Sequence, residues 1–241
     1  MGGTIAETYI TQVNLDPTGE GILSYVGPYA FQYFNIESLV FPESVTYLGK
    51  GVCQDCYYLE SVVLPGSITR IREAAFECCE SLTDVQITAE LERIDGRAFN
   101  GCTSLNGIVL PDSLEIIGES AFCDCISLEI ADLPDSLISV EKFSFRGTKL
   151  AKIELGENVT YVGNCAFQDC AEVTSITLNS KLGYIGDYAF DGCVLVTELT
   201  IPESVNSIGN HFIRGTAIEE IVLPSSLSFI PAFTDNTVIK R

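Results

Sequence analysis

Leu105 to Ser127 reads LNGIVLPDSLEIIGESAFCDCIS, and this stretch decides the fold because the chain repeats its pattern from end to end. Leu105, Ile108 and Leu110 form an L-x-x-I-x-L segment that stops at Pro111, which has no amide proton with which to continue a ladder. Alternation along such a strand puts Ile108 and Leu110 on the core side and Val109 on the opposite face. Between Ser113 and Phe122 the inward residues are expected to be Leu114, Ile117, Ala121 and Phe122, around a bend at Gly118, with Cys125 closing the turn.

The same slots return every 22 or 23 residues. Phe76-x-x-Cys79, Phe99-x-x-Cys102, Phe122-x-x-Cys125, Phe167-x-x-Cys170 and Phe190-x-x-Cys193 mark the turns, and Leu59/Val62/Leu64 or Ile218/Ile221/Leu223 mark the strands. A unit this short cannot bury its own apolar face, so copies must stack into a repeat solenoid, whose strands are expected to form one long parallel sheet. The bend slot holds Gly27, Gly49, Gly118, Gly163, Gly186 and Gly209. Arg72, Asp95 and Glu141 fill it elsewhere, so it does not demand a backbone conformation open only to glycine.

No linker or low-complexity tract interrupts the pattern, which predicts a single solenoid over residues 1–241. Residues 1–35 read as a cap-like first repeat, 36–217 as regular repeats and 218–241 as a truncated last repeat with its tail. Lys and Arg total 13 against 33 for Asp and Glu, a formal charge of −20 that argues against nucleic acid and anionic membrane surfaces as partners. There is no basic n-region before an apolar run, and no stretch of 18 apolar residues, so direct membrane insertion is not expected. Localisation stays open at this level, and a monomer is favoured.

The composite pattern L-x-x-I-x-L-P-x-S-L-x-x-I-G-x-x-A-F-x-x-C resembles the BspA-like, or Treponema-type, leucine-rich repeat proteins, from about Ile10 to Phe233. Pro-x-Ser replaces the general family's Asn/Cys ladder after the strand and singles out this branch. The resemblance implies a leucine-rich repeat arc with a concave parallel β-sheet and with short strands, turns or 3-10 segments on the convex side. It also implies a cell-surface or secreted protein of adhesion type, binding a protein ligand, with neither catalytic residues nor a cofactor. The alternative is a structural scaffold or linker subunit of a larger assembly.

Six of the ten cysteines, Cys56, Cys79, Cys102, Cys125, Cys170 and Cys193, share one slot, which Phe34, Thr148 and Thr216 fill in other copies. That pattern fits small buried thiols better than disulfides. Cys53-Gln54-Asp55-Cys56 looks like a thiol-redox or half-zinc motif and is the remaining functional alternative. Its spacing is also what one substitution in F-x-x-C produces, and no second ligand pair accompanies it, so no metal site is expected. The lone His211 falls in a peripheral slot. The carboxylates Glu219-Glu220 and Asp132 with Glu154 read as solvated acids, and Asn158-Val159-Thr160 is a glycosylation sequon of a kind that chance can supply, which matters only in a protein secreted from a eukaryote.

A concave sheet exposes the residues between its core positions. One outward column runs Asn14, Val40, Val63, Gln86, Val109, Asp132, Glu154, Thr177, Thr200, Val222. A second runs Gln12, Ser38, Ser61, Asp84, Gly107, Ile130, Lys152, Ser175, Glu198, Glu220. Together the columns are apolar and small from Ser38 to Val109, then acidic and hydroxylated. The candidate ligand-binding residues are therefore Val40, Ser61, Val63, Asp84, Gln86, Val109, Ile130, Asp132, Glu154, Thr177 and Thr200.

Overall fold

Two strand segments per copy, each too short to stand alone, pair with the same segments of the next copy and build two parallel sheets around one core. The computed structural model describes residues 12–15, 21–87, 90–233 and 237–240. Ile10, the insertion at Asp16 to Glu20 and Thr88 lie outside the described residues.

Sheet I carries the L-x-x-I-x-L segments in step: Ser61 lies between Ser38 and Asp84, and Val63 between Val40 and Gln86. The expected single long sheet is instead four pieces. Gln12–Asn14, Ser38–Val40, Ser61–Leu64 and Asp84–Ile87 form one sheet. Three pairs follow, Gly107–Ile108 with Ile130–Ala131, Lys152–Glu154 with Ser175–Thr177, and Glu220–Val222 with Val238–Lys240, while Glu198 to Thr200 lacks strand geometry. At the first break Gly107 offers no side chain and Val109 stands 85% exposed, so that rung lacks the same-face packing that holds strands straight.

Sheet II is built from two-residue strands. Tyr25–Val26 pairs with Tyr47–Leu48, and seven further strands run from Arg70–Ile71 to Ser207–Ile208. Val26, Leu48, Ile71, Ile94, Ile117, Val140, Val162, Ile185 and Ile208 point inward and are buried. Between the sheets, the convex arcs hold the phenylalanines. Phe76, Phe99, Phe122, Phe145, Phe167 and Phe190 stack with centroids 5.2–5.8 Å apart and planes within 13° of parallel.

Each arc alternates right- and left-handed residues. The positions two before and two after the phenylalanine slot have positive φ, as at Ala74 (54°) and Cys78 (58°), Ser120 (57°) and Asp124 (57°). With that alternation, three amides per arc donate to the following copy, for example Ala74 N to Gly96 O, Phe76 N to Ala98 O and Cys78 N to Asn100 O. The inter-copy bonds enforce a conformation that residues with a Cβ disfavour by about 1–2 kcal/mol. Ala74→Gly is accordingly expected to stabilise the protein by about 0.5–1 kcal/mol after glycine's own entropic loss, whereas Ala75→Gly, at the adjacent buried position, destabilises it. Paired thermal melts of the two variants check this.

Two side-chain ladders bind copy to copy. The serine of Pro-x-Ser donates to a carbonyl one copy earlier, as Ser113 Oγ does to Leu91 O (3.0 Å) and Ser136 Oγ to Leu114 O (2.6 Å), which gives the branch signature its role. The cysteine thiols donate to the phenylalanine-slot carbonyl of the preceding copy: Cys102 to Phe76 O, Cys125 to Phe99 O and Cys170 to Phe145 O, each at 3.1 Å. Size alone does not explain the exceptions. After each ladder cysteine the chain turns through Leu59 N to Cys56 O and its equivalents. After Phe34, Thr148 and Thr216 the link to the next strand is one residue shorter. The two threonine hydroxyls bend back to their own turns, on Phe145 O and Ile213 O, both at 2.8 Å.

Candidate functional site

Where side chains are described, the period of two along sheet I turns the columns outward. Val40 (58%), Val109 (85%) and Val222 (57%) are the exposed valines of the face, and Val63 is half-buried between Val40 and Gln86. Ser61 is half-buried, and Asp84, Gln86, Asp132, Glu154 and Thr177 are exposed. Ile130 is placed by its backbone opposite Gly107. Thr200 stays on the face although its rung is not a strand, because buried Leu199 and Ile201 flank it.

The polar half of this face is bridged along and between rungs. Gln86 Nε2 donates to Asp84 Oδ2 (2.9 Å), Lys152 Nζ meets Glu154 Oε2 (2.6 Å) and Lys240 Nζ meets Glu220 Oε2 (2.6 Å). These pairs are half-exposed and contribute little to stability. Among the described residues the face carries hollows of about 220 Å³ between Asp132 and Glu154 and of about 250 Å³ between Glu198 and Val222. Both are smaller than the usual clefts for small molecules.

The polar residues singled out in the sequence are engaged with other partners. Glu154 is tied to Lys152, and His211 packs against the Tyr188 ring at 5.3 Å. Asn158 is engaged at both ends of its amide, donating to Asp135 O (2.9 Å) and accepting from Lys181 Nζ (2.6 Å). Among the described residues no three His, Cys, Asp or Glu side chains converge as metal ligands, and no helix is long and apolar enough to cross a membrane.

The outer face of sheet II escaped the sequence reading. Its column runs Tyr25, Tyr47, Arg70, Arg93, Ile116, Ser139, Tyr161, Tyr184, Ser207, and the signal was available as the residue before each inward Val, Leu or Ile. Tyr25 stacks on Tyr47 (4.6 Å) and Tyr161 on Tyr184 (4.9 Å), while the Arg72 guanidinium lies over the Tyr47 ring at 4.3 Å. Asp95, almost fully buried, is gripped by Arg70 Nε (2.6 Å) and Arg93 Nε (2.8 Å), and the hydrogen bond to Asp95 raises the pKa of Arg70. A hollow of about 540 Å³ opens beside this cluster, from Arg70 to Glu141, where bend residues carry side chains. Its guanidiniums are balanced by Glu73, Asp95, Glu119 and Glu141, which leaves no net anion-binding character.

All ten cysteines are free, and eight are buried. Burial pushes the thiols up, Cys123 to about 11 and Cys170 to about 12. Cys56 alone is shifted down, because the Cys53 thiol donates to its sulfur, while burial and that same donation raise Cys53.

The repeat pattern described for the BspA type leucine rich repeat region matches residues 24–135 and 115–238, with six copies. Among solved structures, a leucine-rich repeat protein from Eubacterium ventriosum is similar at 20% identity and a TM-score of 0.67, with 89% of this chain and 66% of that one covered. The leucine rich repeat protein of T. pallidum is 28% identical with a TM-score of 0.55, over 77% of this chain and 78% of that one. A leucine rich cell surface protein from Faecalibacterium prausnitzii is 21% identical with a TM-score of 0.56, over 86% and 78%. No curated protein matches the sequence.

Proposed function

Because this chain belongs to the BspA-type leucine-rich repeat family, whose members are generally non-enzymatic scaffolds for protein interaction, we propose that it is a recognition module of a microbial surface or secreted protein that grips a protein ligand on the outward face of sheet I. The observation that carries this reading is exposed Val40 and half-buried Val63 on neighbouring rungs ~4.8 Å apart, with exposed Val109 beyond the Gln86 rung. A face so open and apolar gains from being covered, and its acidic continuation from Asp132 to Thr200 sets orientation rather than affinity.

Native isolation with mass spectrometry identifies the bound protein. Val63→Lys combined with Val109→Lys then places two ammonium groups in the contact. Affinity for that protein is expected to fall about tenfold or more, about 1.4 kcal/mol, with the far-UV dichroism and melting point of the parent retained. Unchanged affinity in the folded double variant moves the contact off sheet I. Isolation as one fixed, stoichiometric component of a larger particle would identify a structural subunit instead.

A further inference from the structure

We propose that Cys53 and Cys56 are a redox-active dithiol that closes to a disulfide inside the native turn. Most arcs, for example those at Phe76, Phe99, Phe122 and Phe190, contain the same four-residue turn, closed by the amide of the cysteine slot on the carbonyl of the phenylalanine slot. Here it is Cys56 N on Cys53 O at 3.2 Å. A turn of this kind brings its first and fourth Cα atoms within ~7 Å, which overlaps the ~4.4–6.8 Å that a disulfide spans. Elsewhere the turn opposes one sulfur to a ring, as in Phe76 with Cys79 and Phe99 with Cys102. Only here among the described arcs does it oppose two sulfurs.

The two thiols are close enough to shift each other's titration through a side-chain hydrogen bond, and Cys56 donates to Phe31 O at 2.9 Å. Both side chains are buried, so exchange proceeds through local opening of the arc, in which Gln54 is half-buried and Tyr57 and Tyr58 are exposed. The reaction with a small-molecule disulfide such as oxidised glutathione balances as two exchanges. The Cys56 thiolate attacks one glutathione sulfur, forming a mixed disulfide and expelling one glutathione thiolate. The Cys53 thiolate then attacks Cys56 in that mixed disulfide and expels the second. The two protons and two electrons of the protein pair end on two glutathione thiols. Closure removes the donor from Phe31 O and replaces the hydrogen bond between the thiols with a covalent link across the turn.

The test incubates the folded, full chain in glutathione buffers of graded oxidised-to-reduced ratio, quenches with acid, alkylates, and maps disulfides by peptide mass spectrometry. The expected result is one disulfide, Cys53 to Cys56, at oxidising ratios, with the other eight thiols still alkylated and the far-UV dichroism unchanged. Cys53→Ser is expected to stop at a glutathione adduct on Cys56, and Cys56→Ser to form neither the adduct nor the disulfide. Ten free thiols at every ratio overturn the proposal. So does a first disulfide elsewhere, or a Cys53 to Cys56 bond that forms only in urea.

Discussion

Phe122→Ala is expected to lower the unfolding free energy by about 3–5 kcal/mol, and in a chain of stacked copies that loss falls in the middle of the molecule. Phe122 is fully buried and lies between Phe99, 5.3 Å away and 5° from parallel, and Phe145, 5.2 Å away and 12° from parallel. Truncation removes the transfer energy of the ring and two aromatic contacts at about 0.5–1.5 kcal/mol each, and it leaves a cavity that backbone ladders on both sides prevent from collapsing. Stability in a solenoid is close to a sum of copy and nearest-neighbour terms, so both interfaces of that copy weaken at once. Urea titration followed by far-UV dichroism is expected to show a lower midpoint and a broadened or split transition, with Phe122→Leu intermediate. A Phe122→Ala variant within 1 kcal/mol of the parent would show that the ring stack does not hold the copies together.

Gly118→Ala is expected to destabilise by about 1–3 kcal/mol, although alanine fits the backbone conformation there. A Cβ at Gly118 would lie 2.7 Å from Gly96 N and 2.8 Å from the Asp95 carbonyl carbon, both rigid backbone atoms of the preceding copy. At Gly163 and Gly186 it likewise meets backbone, that of Lys142 and of Asn164. Gly27 provides the internal control, since a Cβ there would meet only the Tyr25 ring edge at 3.7 Å. Thermal melts should therefore separate Gly118→Ala from a near-neutral Gly27→Ala, and equal losses at both sites would assign the effect to chain entropy rather than to contact. Asp95 and Glu141 carry side chains at this slot, and both line the hollow beside sheet II.

The core was legible because each slot is written many times over. Leu105, Leu114, Ile117, Ala121 and Phe122 are all fully buried, as the periodicity requires, and Val109 faces out. The left-handed positions were not legible, since Tyr29, Ala74, Arg97, Phe143 and Cys165 share no propensity for positive φ and are held there by bonds to the next copy. Threonine at the cysteine slot read as a matter of size. Its real correlate, a link one residue shorter after Thr148 and Thr216, was present in the spacing but has meaning only once the turn after Cys125 is seen. Strand period gave the face of sheet I, yet alternation says which side chains meet water and not what covers them. The Asp95 cluster was hidden for a different reason: two arginines and a carboxylate separated by 25 residues or fewer look like ordinary surface charge until sheet II stacks Arg70 on Arg93.

The alternating arcs have an electrical consequence. Three amides in each regular arc all point toward the C-terminal neighbour, and the carbonyls they reach all point back. In the sheets such peptide dipoles nearly cancel, but along the convex side they add, copy after copy. The result is a macrodipole that runs opposite in sense to that of an α-helix, whose free amides gather at its N-terminal end. Each additional copy lengthens it, so the two ends of the stack present opposite partial charge whatever side chains they carry.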